Sequence, residues 1–563
     1  MTADNAQARP SKVEVAKQGS QFLRGTIAEM LASDSDRIGS ENIQLIKFHG
    51  IYEQEDRDVR RAVRGTDAGK RYMFMIRSKV PGGVLNAAQY LAHDRISGDF
   101  ANGTLRITTR QDFQFHGTLK HDLRAVVQAL NEAHVTTLGA CGDISRNVMA
   151  CPAPGSDAVR AEVMQAAIEL SDHLLPKTGA YQEIWLDGEK AATIGADEEP
   201  FYGSTYLPRK FKIGFTLPGD NCVDVYSQDL GFVPIVEGDS VARYLVVVGG
   251  GMGTTHGMAK THPRAATSLG EVAPDQVLAV SETVIAVQRD HGNRSDRRQA
   301  RLKYLLDARG TDWFRERVEE RLGWRLLDPT PVGDWDVDDH LGWHEQGAGR
   351  WFLGVHVENG RVLDDDDRQM RTAFRTIVER FQPGVRLTGQ QNILFTDIEA
   401  DDRAAIDAVL AGHNLRPVET MSPMFRAAMA CPAMPTCGLA LAEAERALPD
   451  VIRELDTELG RLGLGQERFS VRMTGCPNGC ARPFLGDVGL VGKTAGHYQV
   501  YLGGDFAGTR LNRLFAEMVP HGEIVATLSP VLQRFRDERG EGETFGDWCH
   551  RVGDELGVAA EAS

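Results

Sequence analysis

Arg106-Ile-Thr-Thr-Arg-Gln111 and Arg146-Asn-Val-Met-Ala-Cys-Pro-Ala153 both return 280 residues later, as Arg386-Leu-Thr-Gly-Gln-Gln391 and Arg426-Ala-Ala-Met-Ala-Cys-Pro-Ala433. Two matches at one offset are hard to obtain by chance, so internal repetition is the first property to read. Cys222 and Asp229-Leu-Gly231 line up with Cys480 and Asp487-Val-Gly489 at an offset of 258, and Tyr244 with Gly249-Gly250 matches Tyr498 with Gly503-Gly504 at 254. The offset drifts as loop deletions would make it drift. An offset near half the chain implies two copies of one large module, packed about a pseudo-twofold axis with a site between them.

The copies have diverged. The second holds Cys431, Cys437, Cys476 and Cys480, whereas the first keeps only Cys151 and Cys222 at matching places. The first instead carries cations near its repeat motifs: Arg77, Lys79, Arg106, Arg110, Arg146, Arg209, Lys210 and Lys212. One copy is expected to hold metal and the other an anion. Period-2 and β-rich runs predict strands over 72–80, 104–115, 210–216 and 243–248, and apolar residues at 3.6 spacing predict helices over 157–175 and 439–462. The class is therefore α/β, in the broader sense α+β. Residues 1–70, polar and without a match in the second half, read as an arm outside the repeated core. Asp364 to Asp367 reads as a solvated turn.

With 563 residues, 42% hydrophobic and 25% charged, the chain has the composition of a multidomain globular protein able to bury a large cofactor. A net charge of -16 works against binding nucleic acid or anionic lipid, so an anion must meet a local cluster of cations. No run of about 18 apolar residues occurs, and the first twenty residues lack the apolar core of a secretory signal; the expectation is a cytoplasmic protein.

Eight cysteines are too few for a disulfide scaffold in a chain this long. Four of them form Cys431-Pro-Ala-Met-Pro-Thr-Cys437 and Cys476-Pro-Asn-Gly-Cys480, C-x5-C and C-x3-C separated by 38 residues. Zinc knuckles and small ferredoxins prefer tighter pairs, so the wide spacing suits a cubane cluster gripped by two loops better than structural zinc or inert core thiols. Cys141 and Cys549 read as buried small hydrophobes.

These motifs resemble the sirohaem sulfite and nitrite reductases, and the resemblance runs from about Leu23 to Gly546. It implies a ferredoxin-like parachute domain built from 71–138 and 345–418, flanked by sirohaem-binding domains at 139–344 and 419–563. It implies a [4Fe-4S] cluster on Cys431, Cys437, Cys476 and Cys480, with Cys480 bridging to the sirohaem iron.

Sirohaem is rich in carboxylates and demands many donors. In TLRITTRQDFQFHG, Thr104 to Gly117, the residues Arg106, Thr108, Arg110, Gln114 and His116 share one parity and are expected on one strand face. In the family this strand contacts sirohaem. Asp112, on the same parity as Arg110 and Gln114, stands where the family has threonine. The family's substrate ligands map onto Arg77, Arg146, Lys210 and Lys212; similar nitrite reductases tend to have asparagine at the position of Lys212, so the lysine pair favours sulfite. Arg209, Lys303 and Gln391 carry over as further contacts to the cofactor or substrate.

The stretch Val246 to Gly253 looks like a dinucleotide loop but fails the spacing test, because Thr254 stands where the third glycine belongs. With no flavin or nicotinamide site, a separate electron donor is expected, ferredoxin or an NADPH-flavoprotein subunit. Segments such as TLGACGDISRNV lean towards ferredoxin. The rival readings are a nitrite reductase with the same cofactors and a non-catalytic haem or iron-sulfur relay.

Overall fold

The computed structural model describes residues 9–64, 69–177, 183–186, 189–193 and 199–559. Four sheets carry the repeat. The first runs, in spatial order, Ile51–Glu55, Tyr72–Arg77, Phe113–Thr118, Leu105–Ile107 and Arg361–Val362. The second runs Gly342–Gly347, Arg350–Val355, Ile393–Glu399, Gly384–Leu387 and Val84–Leu85. The two orders correspond strand by strand, and in each the last strand comes from the other half: Arg361 lies opposite Arg106, and Val84 opposite Arg386. The halves thus exchange edge strands, and each exchange covers one row of otherwise open backbone groups.

Helices Ala87–Phe100 and Leu123–Glu132 cover the first sheet, and Met370–Phe381 and Arg403–Gly412 stand in the same places in the second half. Asn86 and Gln89 form a capping box that fixes the start of the first helix. Alternate strand residues Phe74, Ile76, Phe113 and Phe115 meet Phe374, Val385 and Phe395 in one core shared by both halves. Buried Asp94 on Ala87–Phe100 accepts from Arg371 at 2.7 Å and Arg375 at 2.5 Å, clamping the helices of the two copies together.

The flanking domains repeat in the same way. One sheet is Thr267–Val272, Ser240–Val248, Leu230–Glu237, Ile213–Phe215; the other is Arg513–Pro520, His497–Leu502, Val488–Thr494, Val471–Thr474, Met429–Ala430. Each of these sheets ends in parallel pairing: Ile213–Phe215 runs parallel to Leu230–Glu237, and Val471–Thr474 parallel to both its neighbours. Where the second half has Met429–Ala430, the first has the parallel bridge of Met149 to Gly214. Each flanking domain has its own apolar core.

Three expectations change. The strand Ile51–Glu55 falls in the segment read as an arm, yet it is the edge strand of the first sheet and matches Gly342–Gly347. Residues 1–8 and 65–68 of that segment lie outside the described residues. The run 104–115 is not one strand but a hairpin, Leu105–Ile107 and Phe113–Thr118, closed by a turn in which Gln111 has φ 55° and the Thr108 N–H donates to the Asp112 carbonyl. The helix expected from Leu439 starts at Leu448, with Pro449 in its first turn, because 439–447 instead wraps the thiol loops; the Leu441 and Ala442 N–H groups both donate to the Gly475 carbonyl.

The glycine turn is a feature of the module. A Cβ at Gly250 would stand 2.2 Å from the Tyr226 carbonyl oxygen, and one at Gly504 would stand 2.3 Å from that of Gly486, so both turns need glycine for the same close approach. No described helix is long and apolar enough to cross a membrane.

Candidate active site

Cys431 leaves the strand Met429–Ala430, and the loop Cys476 to Cys480 leaves the neighbouring strand Val471–Thr474. Parallel pairing of these short strands therefore brings the two cysteine motifs to one end of the sheet. The Gly475 N–H points at the Cys431 sulfur at 3.4 Å, and Asn478 Nδ2 at the Cys476 sulfur at 3.4 Å. Burial pushes the thiols of Cys431, Cys437 and Cys476 up, the last to about 12, and the neighbouring Cys480 thiol adds to each shift. Four sulfurs in one another's field, with N–H groups aimed at them, are costly as thiolates unless a cationic centre sits among them. The donor set fits an iron-sulfur cluster.

Cys480, unlike the others, is exposed. Its carbonyl accepts from Thr109 Oγ1 at 2.9 Å, which ties the thiol loop of the second half to the hairpin turn of the first. Arg482 reinforces the tie through the Thr109 and Gly389 carbonyls at 3.0 and 2.8 Å. Arg77, Lys210 and Lys212 all feel the Cys480 thiol.

Burial lowers the lysine pKa values well below normal, and like charges lower them further: Arg146, Arg301 and Arg209 act on Lys210, and Lys210, Arg110 and Arg301 on Lys212. Arg77, Arg209, Lys210 and Lys212 keep accessible surface although protein surrounds them, the situation of side chains that line an internal cavity. Arg146 binds the Gly142 carbonyl at 3.3 Å and has its backbone N–H fixed by the Phe211 carbonyl. Arg77 sits 3.6 Å from buried Asp112, and Gln114, its amide oriented to match, accepts from Arg77 Nε at 3.2 Å. A cavity with this excess of cations fits a polycarboxylate cofactor and an anionic substrate.

Other expected donors have different partners. Arg106 is 1% exposed, and its guanidinium donates to Glu445 at 2.8 Å and to the Ile107 and Ala430 carbonyls at 2.7 Å each, so it links the halves and lies outside the cavity set. Lys303, fully buried, donates to the carbonyls of Gly251, Gly253 and His262 and anchors the glycine loop. Gln391 donates to the Ala430 carbonyl at 2.9 Å, as Gln111 donates to that of Ala150 at 2.8 Å in the other half; each glutamine holds the residue before the first cysteine of its copy.

Thr108 turns inward to Asp112 at 2.5 Å and caps the hairpin turn. Arg110 spans to Gln228 at 2.6 Å and the Ile213 carbonyl at 2.7 Å, with its Nε left without a protein partner. His116 Nδ1 likewise has none, and burial, then Arg361, keeps that ring neutral. These two buried, unpartnered nitrogens leave hydrogen-bonding capacity for a bound group.

Several residues escaped the sequence reading. Asp229 accepts from the Lys212 N–H at 2.9 Å and holds Arg301 at 2.9 and 2.8 Å, and Asp487 accepts from the Ser470 N–H in the same way. The repeated Asp-x-Gly was the available signal. Glu445, holding Arg106 and Arg361, had none, because nothing in the first half corresponds to it. Lys47, from the segment read as an arm, joins the cations near Arg146 and Arg209, and Tyr52 reaches the Cys141 thiol beside Arg77.

The family described as "Nitrite and sulphite reductase 4Fe-4S domain" matches residues 167–326 and 422–556, and "Nitrite/Sulfite reductase ferredoxin-like half domain" matches 67–133 and 344–413. Each matches twice, once per copy. Over 548 residues the chain is 46% identical to a sulfite reductase (NADPH) hemoprotein beta-component of Geobacillus thermodenitrificans, covering 97% of this chain and 96% of that one. A protein of the same name from Myxococcus xanthus is 46% identical over 544 residues, covering 96% of each. The solved structure of Mycobacterium tuberculosis NirA superposes with a TM-score of 0.79 at 26% identity, covering 97% of this chain and 98% of that one. Duplicated sheets, four thiols at one sheet end and a cationic cavity beside them thus coincide with full-length kinship: the chain belongs to the nitrite and sulfite reductases that hold sirohaem and a [4Fe-4S] cluster.

Proposed function

We propose that the chain is the haem subunit of an assimilatory sulfite reductase, which reduces sulfite to sulfide by six electrons. The observation that carries this reading is the lysine pair Lys210 and Lys212, crowded by arginines beside Cys480. Four cations around one space are poorly stable alone, since each pair of unit charges ~4 Å apart costs about 4 kcal/mol at an effective dielectric near 20. A dianion relieves more of that repulsion than a monoanion does.

When bound, sirohaem together with the cluster would supply single-electron redox chemistry to the substrate. The protein supplies charge and protons. Arg77 and Arg146 would clamp the substrate oxygens, while Lys210 and Lys212, with lowered pKa values, release a proton from Nζ as each S–O bond breaks. Sulfite binding raises the lysine pKa values and takes up protons; turnover should fall as pH rises through them. Arg110 Nε and His116 Nδ1, both without a protein partner, would help hold the carboxylate-rich cofactor, with Arg209 at the cavity wall. Thr108, Gln114 and Gln391 hold the surrounding turns, and Arg106 and Lys303 fix the loops behind them.

The donor follows the relatives, whose name specifies NADPH: we assign an NADPH-oxidising flavoprotein subunit, with ferredoxin as the alternative favoured by the segment around Gly139. The test is holoenzyme with reduced methyl viologen and sulfite. One sulfide released per six electrons consumed is the expected result; failure to reduce sulfite by sirohaem-loaded, cluster-loaded enzyme would leave only an electron relay. Turnover with NADPH and the flavoprotein subunit, compared with reduced ferredoxin, identifies the donor.

A further inference from the structure

Cys151 and Cys222 stand in the first half where Cys431 and Cys480 stand in the second, at offsets of 280 and 258. The other two cluster positions are filled by Asp157 and Pro218, so a second cubane has no ligands here. Two different side chains have moved in instead. Asp220, two residues before Cys222, and His340, from the connection that leads into the second half, bring one ligand atom each, and the four atoms all lie within 4.8 Å of one another.

The three distances among Cys151, Asp220 and His340 match the edges of a tetrahedral site. Cys151 Sγ is 3.3 Å from His340 Nε2 and 3.5 Å from Asp220 Oδ2, and His340 Nε2 is 3.5 Å from Asp220 Oδ2. In a tetrahedron the edge is about 1.6 times the bond, so zinc bonds of about 2.0 to 2.3 Å require edges of about 3.3 to 3.8 Å. Cys151, Cys222 and His340 are buried and Asp220 is half-buried, and both cysteines are free thiols.

The surroundings are also those of a metal site. The other ring nitrogen of His340 lies 3.3 Å from Asp338 Oδ2, a carboxylate that fixes the tautomer and ring orientation of a ligating histidine. Asp220 Oδ1 accepts from the N–H groups of Cys222 at 3.0 Å and Asp338 at 3.2 Å, which leaves Oδ2 for the centre of the group. His340 itself is held at φ 55°, an uncommon conformation for a residue with a Cβ.

The geometry points to one Zn2+ bound by Cys151, Asp220, Cys222 and His340. Four protein ligands leave no open position, so the site is structural. Thiolate, imidazole and carboxylate in tetrahedral array select zinc over the harder divalent cations. Its place in the fold states what it does: the Asn221 N–H donates to the Asp336 carbonyl and the Asp336 N–H to that of Gly219, each at 2.8 Å, so zinc locks the inter-module connection onto the first flanking domain. Two repeated cysteine positions thus serve a cluster in one copy and a single ion in the other.

Elemental analysis of the chelator-free holoenzyme tests this. About one zinc per chain is expected beside the iron, falling below about 0.1 in His340→Ala and Cys222→Ser while iron stays unchanged. Zinc-edge X-ray absorption of the wild type should show two sulfurs at about 2.3 Å and two nitrogen or oxygen atoms at about 2.0 Å, a readout that stands even if a variant fails to fold. Wild-type enzyme without stoichiometric zinc, a folded Cys222→Ser enzyme that retains it, or a Cys151 to Cys222 disulfide in anaerobically purified protein would overturn the proposal.

Discussion

Gln391 and Gln111 show how far a single residue can be read. Both were visible as members of a repeat, and Gln391 carried over as a cofactor contact. In the structure each has positive φ and gives its amide to the alanine carbonyl before a cysteine. Gln391 is thus a positioning residue for Cys431. Gln391→Ala should leave the fold intact, because one hydrogen bond contributes about 1 kcal/mol, and should quicken iron loss to a chelator several-fold. A wild-type rate of iron release would show that Arg106, which donates to the same carbonyl, suffices. Residue types at this scale were legible because thiols and guanidinium groups declare their chemistry. Partners were not: Arg106 meets Glu445 from 339 residues away, and no local pattern encodes that pairing.

At the scale of elements, period-2 reading found the strands but missed the turn at Thr108 to Asp112, which a polar run without glycine or proline does not announce. The missed turn matters, since it carries Thr109 to Cys480 and Arg110 into the cavity wall. Glu445 acts at the same scale by pinning Arg106 and Arg361, which face each other across the exchanged strands. Burial alone would raise its carboxyl, but Arg361 and Arg106 hold it down at about 2. A depressed carboxyl contributes stability above its unfolded pKa near 4.3, and that contribution is lost as pH falls towards 2. Glu445→Gln should therefore cost about 3 kcal/mol at pH 7, with the gap to wild type closing below about pH 4. Denaturant midpoints across pH measure it; a gap independent of pH would assign the loss to packing instead.

For the whole molecule, one offset in the sequence was enough to give two copies, a pseudo-twofold and a site between them. What it could not give was the reciprocal exchange of Val84–Leu85 and Arg361–Val362, because two-residue strands leave no periodic signal. The exchange makes the two ferredoxin-like units one body with one core, and so fixes the first half's cations against the second half's thiols. The divergence of the copies, thiols in one and lysines in the other, is the division of labour that a redox site for an anion requires.

The central claim is that this joint site is built for a dianion, and Lys212→Asn tests it most directly. With reduced methyl viologen as donor, wild-type holoenzyme should favour sulfite over nitrite, and Lys212→Asn should lose about 10- to 100-fold in kcat/KM on sulfite while nitrite changes little. Equal losses on both anions, or a wild-type enzyme that prefers nitrite, would contradict the account.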